Sequence, residues 1–462
     1  MNLRIALVWP YGYDTEYVMP LSLGYLKGNI SKKHDVRIID CSFLGIKSPG
    51  LEKIFEEFRP EVVGVSSWSP MYEEAIRVVK LAKSIDSNAT TIIGGAHATS
   101  YPDHVLQNPD VDFVMRGEAE FSFTRFIEEL ENGKNWNLVP GLAFRSKKGI
   151  TKNDFSFVTD IDKISIPDYD AINLEGYLKA GYRFSTSHKR NAPVWITRGC
   201  PYRCSFCSAG LLNGKIIRKH SIAYMLNMVK HLYHEKGIRY INIIDDNFTF
   251  HVEYAKDFCK AVKELNLKDL RFGTPNGIRA QRTDPELFKL MKDAGWEYLV
   301  IAPESGSLDT LKRMNKDLDP KIFPEKIREI KEAGLKVHGF FIIGYPGETD
   351  ADLKQTSILL RKCKLNFFFL NNFQPLPGTP VYDELVKNGE IEDGLLPKNY
   401  SSGERVYVPK GLKDFNFAKF VLKEYLYLLF SNPLNIPYVI KVIGPRMIWK
   451  KAVANLRSMV SA

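Results

Sequence analysis

The stretch PVWITRGCPYRCSFCSAG, residues 193–210, decides how the rest of the chain is read. It opens as a short apolar strand and breaks at Gly199 into a loop carrying Cys200, Cys204 and Cys207 at i, i+4 and i+7. Three thiolates can occupy three irons of a four-iron cluster, which leaves the fourth iron without a protein ligand. An open coordination position of that kind separates a reactive metal centre from a structural one. Two other readings stand beside it: a structural zinc site completed by His188 or His220, and coincidental core cysteines. A zinc ribbon would bring paired CxxC halves, and none is present.

Reading outward toward the C-terminus, βα alternation continues. Strand-like runs stand at IRYINIID (238–245), LRFGTPN (270–276), WEYLVIAPES (296–305), LKVHGFFIIG (335–344) and LNFFFLNNF (365–373), with helical stretches between them. Counting the strand before the cysteines, six βα units predict a partial, TIM-like (βα)6 barrel over 191–385, with its site at the C-terminal strand ends. Those ends carry Asp245 and Asp246, then Glu304 and Ser305, then Gly344 in GFFIIGYPGET, and QPLPGTP after the sixth strand. A solvated strand end or a helix N-cap is the other reading of the two aspartates. Residues 386–462 are helical in character, around FNFAKFVLKEYLYLLF and YVIKVIGPRMIWKKAVANLRSMV, and both stretches are apolar and basic together. They read as capping helices on the barrel, with peripheral contact to a membrane surface as the alternative.

Toward the N-terminus, RIALVW, VRIID, EVVGVSS, TTIIGG and VDFVMRG alternate with amphipathic helical stretches over 1–140. Their unbroken hydrophobicity predicts parallel strands covered on both faces, in a doubly wound α/β domain that binds ligand at its strand ends. Residues 141–190 turn Pro-containing and weakly periodic, as a linker with one small hairpin would. GGAH at 94–97 lacks the glycine spacing of a dinucleotide fingerprint.

CxxxCxxC after a strand, with Phe206 before the last cysteine, resembles the radical SAM superfamily. The resemblance implies that the open iron chelates the amino and carboxylate groups of S-adenosylmethionine (SAM). One electron then breaks a C–S bond to release a 5′-deoxyadenosyl radical. It places Phe206 near the adenine through its backbone, gives Glu304 polar contact to SAM, and brings Gly344 to Gly347 close to the adenosyl part; Ser305 and Asp245, at the same strand ends, are further candidate SAM contacts.

Taken as a set, PLSLGYL (20–26), VGVSSWSP (63–70), IIGGAHAT (92–99) and RGEAE (116–120) resemble the cobalamin-binding domain that precedes the barrel in one large branch of that superfamily. By that resemblance Ser66, Ser67, Gly94, Gly95, His97, Gly117 and Glu118 are candidate cobalamin contacts. DxHxxG is absent, implying that no protein histidine replaces the displaced base of the cofactor, and His97 can equally be satisfied by its own loop. The implied reaction is methylation of an unactivated carbon through methylcobalamin. Non-methylating radical chemistry, oxidative cyclisation or ring rearrangement, is the alternative, and a zinc-stabilised binding module is a distant one. Cys41, Cys259 and Cys363 are scattered, so a second cluster of the methylthiotransferase kind lacks ligands.

The bulk numbers fit this. At 462 residues with 44% hydrophobic and 26% charged side chains the chain is of ordinary globular composition for two or three domains. Its net charge of +10 is spread without a long basic run, which argues against a nucleic-acid partner. The scattered cysteines, the absence of a signal-like N-terminus and the lack of an apolar run of ~18 residues lead to an expectation of a reducing, cytoplasmic setting with no transmembrane segment. A small-molecule or lipid substrate and an external electron donor of flavodoxin or ferredoxin type complete the expected partners.

Overall fold

The structure is a computed structural model and describes residues 2–12, 18–182, 190–396 and 405–443. It divides into two compact units. One is drawn from Met1–Tyr182, Trp195–His231 and Gln374–Tyr407, the other from Arg183–Val194, Leu232–Phe373 and Val408–Ala462.

In the first unit the apolar runs become β1 (Arg4–Trp9), β2 (Asp35–Asp40), β3 (Val62–Ser66), β4 (Thr90–Gly94) and β5 (Phe113–Met115), all parallel, in the order β2-β1-β3-β4-β5. Successive side chains on a strand point to opposite faces, and here both faces are covered. Val8, Val63, Val65 and Ile93 pack with Phe55, Tyr72 and Val79, whereas Ile5, Leu7 and Ile92 pack with Leu23, Phe123 and Phe126. The sheet is therefore doubly wound, and its order reverses between β1 and β3, the switch point at which such sheets take ligands.

The segment read as a linker supplies β6 (Leu142–Ser146) and β7 (Gly149–Lys152), which pair antiparallel onto β5 and widen the sheet to seven strands. Arg145 ties this hairpin down by donating to the carbonyls of Leu106, Asn108, Pro109 and Val111.

The second unit holds a parallel sheet of six strands: β8 (Asn191–Val194), then, beyond the short strands β9 (Thr197–Arg198) and β10 (Arg218–Lys219) of the first unit, β11 (Tyr240–Ile243), β12 (Arg271–Ile278), β13 (Trp296–Glu304), β14 (Lys336–Ile343) and β15 (Phe367–Asn372). Their spatial order follows chain order, as a (βα)6 partial barrel requires. Ile343 faces outward onto Leu353 of the following helix, while Tyr240, Tyr298 and Val300 cluster on the inner face with Phe340. Gly273 has to be bare there, because a Cβ would stand 2.6 Å from the Tyr298 ring and 2.8 Å from the Tyr240 hydroxyl. Deeper in, His338 stacks on Tyr298 and its Nε2 lies 2.7 Å from the Tyr438 hydroxyl. Two of this unit's helices start on well-formed caps, Asp284 before Pro285 and a reciprocal Thr349–Asp352 capping box.

The expected C-terminal helices are Phe417–Ser431 and Ile436–Ile443; the rest of the second, residues 444–462, lies outside the described residues. Among the described residues no helix is long and apolar enough to cross a membrane.

Candidate cluster and cofactor site

β9 and β10 pair antiparallel and close the base of the cysteine loop, and Cys200 N–H donates to the Gly214 carbonyl at 3.0 Å. Gly199, just before the first cysteine, holds φ +100°, and a Cβ would fall 2.4 Å from the Ile216 carbonyl oxygen, so only glycine turns the chain here. The Val381 N–H, at the start of helix Pro380–Lys387, donates to the Ser205 carbonyl and brings the QPLPGTP segment against the loop.

Cys200 and Cys204 are half-buried and Cys207 is exposed, with its sulfur accepting the Ala209 N–H. Cys41, Cys259 and Cys363 are buried instead, and burial pushes the thiols of Cys41 and Cys363 up to about 12. Accessible thiols are thus confined to the loop, a donor set that suits a cluster with an open iron. Among the described residues no three His, Cys, Asp or Glu side chains gather as they would around one metal ion. His220 is buried, stacked on Tyr224 and held 3.0 Å from Asp162; His188 lies outside the described residues.

Beneath the loop lies a buried network of four charges. Arg218 grips Glu118 with two bonds of 2.6 and 2.7 Å, and Arg198 reaches Glu120 at 2.7 Å and Glu118 at 3.5 Å. All four side chains are under a tenth exposed. The Arg198 guanidinium also lies against the rings of Tyr25 and Trp195, which stack on each other. Burial works against ionisation of Glu120, but the Arg198 charge and hydrogen bond outweigh it and hold that carboxyl below its ordinary range. Glu118, expected at cobalamin, thus directs its carboxylate to Arg218. Gly117 before it has φ +71° and stands where a Cβ would meet the Phe155 ring at 2.7 Å.

The other cobalamin candidates meet where β3 and β4 end. Ser67 N–H donates to Gly94 O and His97 N–H to Ser67 O, while Ser66 is buried beside them. At half-buried Gly94 an added Cβ would touch only Met115, so this edge is bare backbone of the kind a broad ligand can approach. His97 is 1% exposed, with Nδ1 3.2 Å from the Ser69 hydroxyl and its ring against Tyr72. Burial, then the neighbouring His104, pushes it down to about 3, so it is neutral at physiological pH.

In the barrel unit, Asp245, Glu304 and Gly344 all stand at C-terminal strand ends. Glu304 adopts φ +63°, unusual outside glycine, and its carboxylate pairs with Lys316 at 2.7 Å. Ser305 is buried and bonded to the Thr356 hydroxyl and the Ser307 N–H. Asp245 is buried, and Phe206 sits on the half-buried part of the cysteine loop.

Gly344, at φ +79°, donates its N–H to Glu348 at 2.6 Å, as does Tyr345 at 3.3 Å. Glu348 is fully buried with Oε1 lacking a hydrogen-bond partner. Burial raises its pKa from 4.5 to about 8, against the pull of those two N–H groups. The folded state therefore binds this proton more tightly than the unfolded chain. The resulting stability is full below pH 4.5 and is lost as pH rises through about 8. Thermal melts across that window are expected to show a falling melting temperature for the wild type and a flatter profile for Glu348→Gln. Equal slopes in the two proteins would refute this account of Glu348.

Residues 194–360 match the model of the radical SAM superfamily and residues 15–127 that of the B12 binding domain. The chain belongs to the cobalamin-binding radical SAM enzymes. Its cofactors are accordingly a 4Fe-4S cluster, SAM and cobalamin. The enzyme is 29% identical over 413 residues to the uncharacterized methyltransferase PH0819 of Pyrococcus horikoshii, covering 88% of this chain and 87% of that one. It is 28% identical over 436 residues to the cytidylyl-2-hydroxyethylphosphonate methyltransferase of Streptomyces wedmorensis, covering 83% and 81%. Among solved structures, the radical SAM methyltransferase TsrM from Kitasatospora setae superposes with a TM-score of 0.71 at 16% identity, over 84% of this chain and 76% of that one, a likeness of fold.

Arg198, Arg218, Glu120, Lys316 and Glu348 escaped the reading of the sequence as functional positions. Arg198 and Glu120 stand in short turn-like sequence, TRG and RGEAE, and Arg218 in an ordinary IRKH, while their partners lie 78 and 100 positions away along the chain.

Proposed function

We propose that the enzyme transfers a methyl group from SAM to an unactivated carbon of a small molecule or lipid. The observation that carries this reading is the pairing, in one chain, of an accessible three-cysteine loop with a cobalamin-type sheet whose ligand edge is bare backbone. Methyltransferase names among relatives aligned over most of their length support it. When bound, the cluster and cobalamin supply the radical and the methyl carrier; the protein binds, orients and excludes water.

In this reading residues 1–140 hold cobalamin, with Ser66, Ser67, Gly94 and Gly95 at its edge, and 191–385 hold the cluster and SAM. Cys200, Cys204 and Cys207 ligate iron, and Phe206, Asp245 and Gly344 contact SAM. Lys316 serves by holding the Glu304 carboxylate in a fixed orientation at the strand ends. An external electron donor drives turnover, in a reducing cytoplasmic setting.

The test compares metabolite and lipid mass spectra from cells expressing wild type and Cys204→Ala enzyme, fed methionine labelled on its methyl group. A labelled methyl gain confined to the wild type is expected. A wild-type product that has lost hydrogen without gaining the label would replace methylation with oxidative cyclisation or ring rearrangement.

A further inference from the structure

Helix Phe417–Ser431 is apolar on both sides. Its inner face is firmly held: Glu424, 1% exposed, accepts from Arg361 at 2.9 Å and from Ser357 at 2.7 Å, and Tyr425 stacks on Phe368. The outer face, read at i, i+3, i+4, i+7 and i+11, is Lys419, Leu422, Lys423, Leu426 and Phe430. Leu422 is 49% exposed, Leu426 42% and Phe430 75%, and Leu434, just past the helix, is 94% exposed. Large apolar side chains lined up this way on an anchored helix form a patch, unlike the scattered single residues of an ordinary surface.

Charge says what the patch meets. The described residues 405–443 carry six Lys and Arg against two acidic residues, Asp414 and Glu424, and Glu424 is the one buried against Arg361. A second copy of this face would oppose basic surface to basic surface, which like-charge repulsion disfavours. An anionic lipid surface complements it: apolar side chains enter below the headgroups while lysine stems reach up to phosphate.

We propose that the outer face of helix Phe417–Ser431 adsorbs the enzyme to anionic membrane surfaces. The adsorption is peripheral, and it would bring the enzyme to substrates that partition into lipid. It does not depend on which reaction the enzyme performs.

The test is co-sedimentation of the full-length protein with vesicles of phosphatidylglycerol and phosphatidylcholine, against vesicles of phosphatidylcholine alone. Binding is expected on the anionic vesicles and loss of it at high salt. Lys419→Gln with Lys423→Gln should weaken it ~30-fold, two lysines each acting near a charged surface. Leu426→Glu with Phe430→Glu should abolish it, with unchanged far-ultraviolet circular dichroism because both side chains point to solvent. No sedimentation with anionic vesicles, equal binding to neutral ones, or binding indifferent to these substitutions would overturn the proposal. So would a dimer, seen by analytical ultracentrifugation, that Leu426→Glu with Phe430→Glu dissolves in a protein that ignores vesicles.

Discussion

Anaerobically purified Cys204→Ala enzyme is expected to be nearly colourless, its iron and sulfide falling from about four of each per chain to background. The loop offers its thiols from one short, glycine-turned excursion, and two remaining thiolates cannot grip a cluster whose fourth iron is open. 5′-Deoxyadenosine formation should fall to background with it. Cobalamin absorbance after reconstitution should survive, because Cys204 lies outside residues 15–127, which match the B12 binding domain. Cys259→Ala sets the contrast: it removes a fully buried thiol and should leave the cluster intact while lowering stability by about 1 kcal/mol. Iron retained at wild-type level in Cys204→Ala, or zinc in place of iron in the wild type, would sink the assignment of the loop.

The second large effect is expected at the four buried charges. Glu118→Ala leaves the Arg218 guanidinium buried and short of its bidentate partner, and breaking a buried pair from one side typically costs about 3–5 kcal/mol. Arg218→Ala should cost a similar amount, and the double substitution much less than the sum, because no unpaired charge is then left behind. Denaturant melts of the cobalamin-loaded protein measure all three. An additive double variant would show that the pair is incidental. Since Arg218 is also paired with Arg198 across the two strands at the base of the cysteine loop, Arg218→Ala should broaden the electron paramagnetic resonance spectrum of the reduced cluster as well.

What was legible beforehand was local. The cysteine spacing, the apolar strands of both sheets and the glycines that bend the chain are each written within a few residues, and period and composition suffice to find them. Pairing across the chain was not. The hairpin of β6 and β7 looked like a connector because an edge strand is weakly hydrophobic, and its attachment depends on Arg145 reaching carbonyls more than thirty residues away. Carboxylates at strand ends invited ligand roles, yet Glu118 finds its partner 100 positions on and Glu304 finds Lys316 after 12. A buried carboxylate has to be neutralised, and only the fold says by what.

The network of Glu118, Glu120, Arg198 and Arg218 also constrains the ancestry of the enzyme. A recombination joint placed anywhere in 141–190 would import two glutamates from one parent and two arginines from another. A chimera whose parents differ at any of the four would carry stranded buried charges. The cobalamin domain and the cysteine loop are therefore expected to have been inherited as a pair, and a domain graft that hopes to fold has to carry residues 195–231 along with the N-terminal sheet.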